Sequence, residues 1–259
     1  MSSKITTELI KELRDATGIS IMQCKSALIE AQGDMKKALA ILKKNSSDIA
    51  LKKSSRELKD GAVTIKIENK KAVLVSLHCE TDFVSRNEDF TILLGKLADK
   101  AFSLGVEEVK AGAKDMIDPI IQKTGENIIL GDVYKVEGDI LGTYVHNNKI
   151  AVIVSLVSGD RELAKDVAMH IAAMKPEYIS RDEINDEARK TITEVFQKEI
   201  SNTDKPLEIR EKMLDGKITT YFKERTLLDQ PFVKNGDTTV GELLDKNKAK
   251  IKEVKIYSI

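Results

Sequence analysis

The sequence lacks the features that mark several large classes of protein. It has no net charge, since 42 Lys and Arg balance 42 Asp and Glu, which argues against wholesale electrostatic attachment to nucleic acid or to a membrane. Apolar runs such as "IAVIVSLV" are far shorter than the roughly 18 residues of a spanning helix, and no apolar signal stretch stands at the N-terminus. The two cysteines, Cys24 and Cys79, show no paired spacing, as is typical of a reducing compartment. These absences predict a soluble, cytoplasmic protein.

Groups that could perform catalysis are few. The three histidines, His78, His146 and His170, lie outside helical ligand spacing of one another, and neither cysteine has a partner at zinc spacing. The phosphate-binding patterns GxxxxGK(S/T) and GxGxxG are absent, so we expect no directly bound nucleotide, no metal and no cofactor. His78 and Cys79, next to Asp82, could be imagined as base and nucleophile, but adjacent strand residues point to opposite faces. An ordinary thiol at a strand end is the alternative that this geometry favours.

The first part of the chain has the apolar spacing of helices. Across residues 5–45 this spacing is interrupted by "TGIS" and "QGD", which predicts three helices. Ser20 with Gln23 three residues later is a capping-box pattern for the second helix. Basic pairs such as those in "DMKKALAILKK" have no aromatic residue among them, so binding of RNA by base stacking is not indicated.

A strand is repeated later in the chain. "KKAVLVSL" at 70–77 and "KIAVIVSL" at 149–156 match at an offset of 79 residues. The first copy is the second strand of a hairpin predicted around Asn69, and the two copies lead into amphipathic helices near Phe90 and Leu163. This pattern predicts two related α+β subdomains side by side.

The connection between strand and helix differs between the copies. It is six positions longer in the first copy, where the extra residues fall in "TDFVSRN". Phe83 therefore stands in a polar loop, where packing does not require an aromatic ring, and a loop of this kind is a hint of function. Two plainer alternatives are that Phe83 folds back onto its own subdomain and that Asp82 only caps the following helix.

The remaining connections give further expectations. Gly125, Gly131, Gly138 and Gly142 are predicted to mark turns. After the second copy, Ser180 with Glu183 is predicted to form a capping box. It opens a charged helical hairpin, in which Pro206 suits the start of the returning helix. The apolar stripe of this hairpin is predicted to consist of Ile184, Ala188, Ile192 and Val195.

These patterns divide the chain into modules, and the predicted class is α+β. The predicted boundaries are 1–46 for the three-helix domain, 47–60 for a helical linker, 61–139 for the first core subdomain, 140–180 with 226–259 for the second, and 181–225 for the hairpin arm.

An ordered set of segments resembles the elongation factor Ts family of translation. The segments are "LRDATGISIMQCKSALIEAQGDMKKALAILKK", "ETDFVSRNEDF", "KTGENI", "GTYVHNNKIAVIV", "DVAMHIAAMKPEYI" and "QPFVKNGDTTVGELL". The resemblance implies an N-terminal ubiquitin-associated-like domain, a core of two duplicated antiparallel α+β subdomains and a coiled-coil dimerisation arm. It also implies a guanine nucleotide exchange factor, which binds elongation factor Tu in its GDP-bound and nucleotide-free states without covalent chemistry.

The resemblance also implies roles for individual residues. Thr81, Asp82, Phe83 and Val84 match the loop that wedges into elongation factor Tu and leads to loss of its Mg²⁺. Other positions that match contacts with the same partner are Lys25, Thr124, Gly125 and His146. A homodimer, or a complex of two copies of each protein, is a further expectation, and no direct contact with nucleic acid or membrane is expected.

Two other classes of function stay open at this point. The three-helix module could belong to a ubiquitin- or peptide-binding adaptor, but this class leaves the duplicated core unexplained. Alternatively, Cys79 could serve a thiol enzyme.

Overall fold

The computed structural model describes residues 5–201, 203 and 205–259, and it confirms an α+β fold. The helices are α1 (Thr7–Thr17), α2 (Ile21–Glu30), α3 (Met35–Lys53), α4 (Asp82–Ser85), α5 (Glu88–Leu104), α6 (Val106–Thr124), α7 (Arg161–Met174), α8 (Asp186–Ser201), α9 (Leu207–Arg225) and α10 (Val240–Lys246). The strands are β1 (Asp60–Glu68), β2 (Lys71–Cys79), β3 (Ile128–Glu137), β4 (Ile140–His146), β5 (Ile150–Ser158), β6 (Pro231–Phe232), β7 (Asn235–Thr239) and β8 (Lys250–Ser258).

The chain divides into two compact units. The first comprises the residues up to Val136, together with Val145–Ala151 and Tyr257–Ile259, and the second comprises Glu137–Tyr144 and Val152–Ile256. The strands form sheets in the orders β1-β2-β3, β4-β5-β8 and β6-β7. The predicted module boundaries stay predictions, since this division is a coarser one.

The first unit begins with the three predicted helices. Each has a polar N-cap, in which the side chains of Thr6, Ser20 and Asp34 accept a hydrogen bond from a backbone N–H three residues later. They enclose a small apolar core that includes Leu13, Leu28 and Leu42. Helix α3 extends into the predicted helical linker only as far as Lys53, and residues 54–59 are not helical, so the expected helical character holds for the first part of the linker alone.

The rest of the first unit is built on a buried hairpin. Strands β1 and β2 pair in antiparallel register from Asp60 opposite Cys79 to Glu68 opposite Lys71, which confirms the hairpin. Asn69 takes a left-handed φ of 52° in its turn, a conformation that asparagine tolerates. Six consecutive residues of β2 are buried, and Val73, Val75 and Leu77 among them share one core with residues of α5 and α6. A strand buried on both faces has a nearly continuous apolar run, which is the pattern that the repeated segment shows.

Two of the four glycines predicted to mark turns lie inside strands, so this expectation was wrong for Gly131 and Gly142. Gly131 is in β3, and a Cβ there would collide with the side chains of Ser76 and His78. Gly142 is in β4, where a Cβ would collide with the backbone of α7 at Ala164. Close packing of the neighbouring elements, rather than a turn, therefore requires glycine at both positions.

The capping box predicted at Ser180 and Glu183 was also wrong. Residues Arg181–Glu183 form a single 3-10 turn, and the Glu183 carboxylate accepts from the Ile179 N–H at 2.6 Å. Helix α8 begins later, where Asn185 accepts from the backbone N–H of Ala188 at 2.8 Å. The chain leaves helical geometry in between because Ile184 is extended and buries its side chain.

The apolar stripe of the arm is shifted from the predicted one. Ile184 precedes α8, and Val195 is 55% exposed. The stripe instead continues from Ala188 and Ile192 to Phe196, whose ring meets that of Tyr221 on α9 edge to face at 5.9 Å. The predicted and the observed stripe share Ala188 and Ile192, and they differ in the next member, which is Phe196 rather than Val195.

His170 is a buried titratable group of the second unit. Its fully buried ring bonds through Nε2 to the Gln230 side-chain oxygen at 2.9 Å and accepts the Val233 N–H on Nδ1 at 3.1 Å. Burial lowers the pKa of His170, although the bond to Gln230 opposes this shift. The folded chain therefore holds this histidine neutral, and protonation would remove the acceptor of the Val233 bond.

We expect this contribution to be complete above the ordinary histidine pKa of about 6.5 and to be lost as the pH falls below it, by at most about 1.4 kcal/mol per pH unit. Urea unfolding followed by circular dichroism at pH 7.5 and 5.5 measures the loss. His170→Gln should reduce the pH dependence, whereas His146→Gln, at an exposed histidine, should keep it. Equal pH dependence in the intact protein and His170→Gln would contradict the assignment.

Candidate partner-binding surface

Phe83 projects from the first unit into solvent. Its side chain is 82% exposed, the largest value among the exposed large apolar residues of the described chain. The neighbouring Val84 is only 8% exposed and belongs to the apolar core beneath. The alternative in which Phe83 folds back as a lid is therefore wrong, because Val84 occupies the inward position of the turn.

The turn that carries Phe83 is the four-residue helix α4. A single helical turn is unstable alone, because nucleation fixes several residues for few hydrogen bonds. Here Ser85 N–H and Arg86 N–H bond to the carbonyls four residues earlier, each at 3.2 Å. Asp82 pairs with Arg86 at 3.3 Å, and the cap of α5 is supplied by Asn87 rather than by Asp82.

Glu126 connects this turn to another part of the chain. One carboxylate oxygen accepts from the Thr81 backbone N–H at 3.0 Å, and the other accepts from the Thr81 hydroxyl at 2.6 Å. Glu126 directly follows Thr124 and Gly125, at the point where α6 ends with Gly125 at a left-handed φ of 79°. The structure thus brings together three of the residues predicted from the resemblance, Thr81, Thr124 and Gly125.

A second carboxylate makes the reverse connection. Glu80 accepts from the Asn127 backbone N–H at 2.6 Å, and Arg56 lies 3.3 Å from the same carboxylate. Burial alone would raise the pKa of Glu80, but its bonds to Asn127 and Arg56 hold this pKa below its usual value. The Gly125 carbonyl accepts from Lys53 and from Arg56. We call the pair of bonded dipeptides, Glu80–Thr81 and Glu126–Asn127, the carboxylate clasp.

Lys149 attaches a third segment to the same turn. Its ammonium group donates to the Asp60 carboxylate and the Gly61 carbonyl, both at 2.6 Å, and lies 3.4 Å from the hydroxyl of Ser85 on α4. Burial opposes ionisation of Asp60, but bonds from Lys149 and Ser85 leave the pKa of this carboxyl below its usual value. Lys149 closes the β4–β5 turn, whose exposed first residue is His146.

Lys25 lies on another surface of the first unit. It is exposed on α2, between the exposed apolar side chains of Met22 and Ile29. These three residues follow one another at helical steps of three and four, and so lie on one face.

The geometry does not support Cys79 as a nucleophile. Its thiol is buried and donates to the Thr81 carbonyl at 3.2 Å. Burial raises the pKa of Cys79 to about 12, so the reactive thiolate is scarce at neutral pH. The ring of His78 bonds to the Tyr257 hydroxyl at 2.6 Å instead. Within the described residues, no group of three or more histidine, cysteine or acidic side chains could hold a metal ion.

The sequence reasoning missed Glu80, Glu126 and Lys149. Glu126 lies within "KTGENI" and Glu80 within "ETDFVSRNEDF", but their bonds join residues about 45 positions apart, and no local pattern reports such a pairing. No helix in the described part of the chain combines the length and apolarity needed to cross a membrane.

Comparisons with known proteins agree with the resemblance. The family model described as elongation factor Ts matches residues 80–259. Elongation factor Ts of Hahella chejuensis is 41% identical over 98% of this chain and 92% of its own length. The protein of the same name from Cellvibrio japonicus is 40% identical over 96% and 89%, and that from Deinococcus deserti is 40% identical over 92% and 94%. The chain therefore belongs to the elongation factor Ts family of translation elongation factors.

Proposed function

We propose that the protein is a guanine nucleotide exchange factor of translation elongation, acting in the cytoplasm. It binds elongation factor Tu carrying GDP, dislodges the bound Mg²⁺, and promotes GDP release so that GTP can enter. The observation that carries this proposal is the exposed ring of Phe83, held on a short turn beside Asp82. The family membership supplies the partner. The activity needs no covalent step, no cofactor and no contact with nucleic acid.

The physical basis of exchange is thermodynamic linkage. A factor that binds nucleotide-free elongation factor Tu more tightly than the GDP-bound form must weaken GDP binding by the same factor. Each tenfold change corresponds to about 1.4 kcal/mol. Burial of one Phe side chain supplies roughly 1.5 to 3 kcal/mol, so Phe83 alone cannot provide a large coupling. We assign the remainder to further contacts by Thr81, Lys25, Thr124, Gly125 and His146.

Asp82 has the freedom to act on the partner's metal site. Its side chain is 47% exposed, and its ion pair with Arg86 is exposed as well. Such pairs contribute only about 0 to 1 kcal/mol, so Asp82 can exchange Arg86 for groups of the partner at little cost. Loss of Mg²⁺ removes the cation that offsets the phosphate charge of GDP, and this weakens the nucleotide. The buried side chain of Val84 anchors the turn that carries Asp82 and Phe83 in the apolar core of the first unit.

Phe83→Ala should slow the release of labelled GDP from elongation factor Tu by about tenfold, because the ring can no longer be buried at the interface. Stopped-flow fluorescence measures this release. Leu104→Ala, which removes another exposed apolar side chain of the first unit, is the matched control and should act like the intact protein. Failure of the intact protein to accelerate release would rule out the proposed function.

Asp82→Asn tests the role of the metal separately. In buffer containing Mg²⁺ we expect slower GDP release than with the intact protein, because the carboxylate that disturbs the metal site is lost. When EDTA removes Mg²⁺ beforehand, the two proteins should accelerate release to similar extents. The same deficit with and without Mg²⁺ would show that Asp82 acts by another route.

We propose further that the arm formed by α8 and α9 mediates a homodimer, alone or in a complex of two copies of each protein. Val195 on α8 and Leu207 and Ile209 on α9 are exposed apolar side chains that such an interface would cover. Equilibrium sedimentation at micromolar concentration should give twice the monomer mass, and Val195→Lys should shift the protein toward monomer. A monomer mass for the unmodified protein would contradict the dimer.

A further inference from the structure

We propose that Glu126 is a positioning residue for nucleotide exchange, which acts on the partner through the Phe83 turn. This inference rests on the proposed exchange function and names a residue outside the segment that carries the ring. Its evidence is the geometry of the carboxylate clasp, in which each of two neighbouring dipeptides supplies a carboxylate to a backbone N–H of the other.

Thr81 shows why the turn depends on an outside group. A threonine at a helix N-cap ordinarily accepts a hydrogen bond from the first turn of its own helix. Thr81 is the N-cap of α4, yet its side chain makes no capping bond, and its hydroxyl donates to Glu126 instead. The start of the turn is therefore held by Glu126, which follows the end of α6, in addition to the turn's own backbone bonds.

The opposite side of the clasp is anchored in the core of the unit. Asn127 is 2% exposed; its backbone N–H bonds to Glu80, and its side-chain amide donates to the Arg56 carbonyl at 3.2 Å. These groups are charged or largely buried, which makes their hydrogen bonds strong and costly to break. The Phe83 turn and the turn at Thr124–Gly125 are consequently parts of one rigid assembly.

This rigidity bears directly on exchange. A ring displayed in one orientation loses less conformational freedom on binding than a ring on a mobile loop, so more of its burial appears as binding free energy. Without Glu126, the backbone N–H and hydroxyl of Thr81 lose their acceptors, and the turn then relies on Val84, on the link of Ser85 to Lys149 and on the weak bond from the Cys79 thiol to the Thr81 carbonyl. We therefore expect the contribution of Phe83 to depend on Glu126.

A double-mutant cycle tests this dependence. Glu126→Gln keeps the size of the side chain but removes the charged bidentate acceptor. In the intact background it should slow GDP release from elongation factor Tu by about tenfold, as expected for loss of a charge-assisted bond. In the Phe83→Ala background it should slow release by no more than about twofold, because the ring through which Glu126 acts is absent. Glu107→Gln, at an exposed glutamate of α6, is the matched control.

Amide hydrogen exchange of Thr81, measured on the same proteins, provides a readout without the partner, and faster exchange is expected in Glu126→Gln. Equal losses of activity in the two backgrounds would overturn the proposal, because a general structural defect adds to the Phe83 effect. Unchanged activity in Glu126→Gln would overturn it too. Failure of the intact protein to accelerate GDP release would instead overturn the exchange function itself.

Discussion

The bond between the Glu126 carboxylate and Thr81 is the constraint on which the exposed surface depends. An exposed apolar ring contributes no burial energy to the fold. On a flexible loop, the ring would therefore pack onto the nearest apolar surface of the same chain. The fold prevents this collapse on two sides. Val84 fills the inward position of the turn, and Glu126 fixes the residue where the turn begins. Phe83 is thereby left with the outward direction.

The duplicated strand–helix scaffold explains why one copy can carry this surface and the other cannot. Strands β2 and β5 have the same run of six buried residues, so both copies use the same buried framework. In the second copy the chain passes from β5 to α7 through two residues, with Asp160 as the helix cap. The first copy places α4 at the corresponding point. The added turn alters the surface while the buried strands keep their pattern, which is how functional loops commonly arise on rigid scaffolds.

Features that depend on local spacing could be predicted from the sequence. These include the three N-terminal helices, the β1–β2 hairpin and the two strands of the repeat, β2 and β5. The wrong predictions for two glycines came from positions whose conformation is decided by distant residues. Gly131 and Gly142 resemble turn glycines locally, yet close approach of Ser76, His78 and α7 requires them inside strands. Glu126 escaped notice for the same reason, since a solvated glutamate and an acceptor for a backbone 45 positions away look identical in sequence.

The surface separates a part that must stay fixed from a part that must change on binding. The fixed part consists of the clasp and Val84, where broken hydrogen bonds would leave largely buried backbone groups unpaired. The changeable part is Asp82, whose exposed pair with Arg86 has little energy to lose. The exchange function proposed above requires both properties, because in that proposal the turn holds one geometry while the Asp82 carboxylate moves from Arg86 to the metal site of the partner. Thr81, which the clasp holds, is followed directly by Asp82, which can change its partner. A short segment thus combines a fixed backbone with a charged group that is free to move.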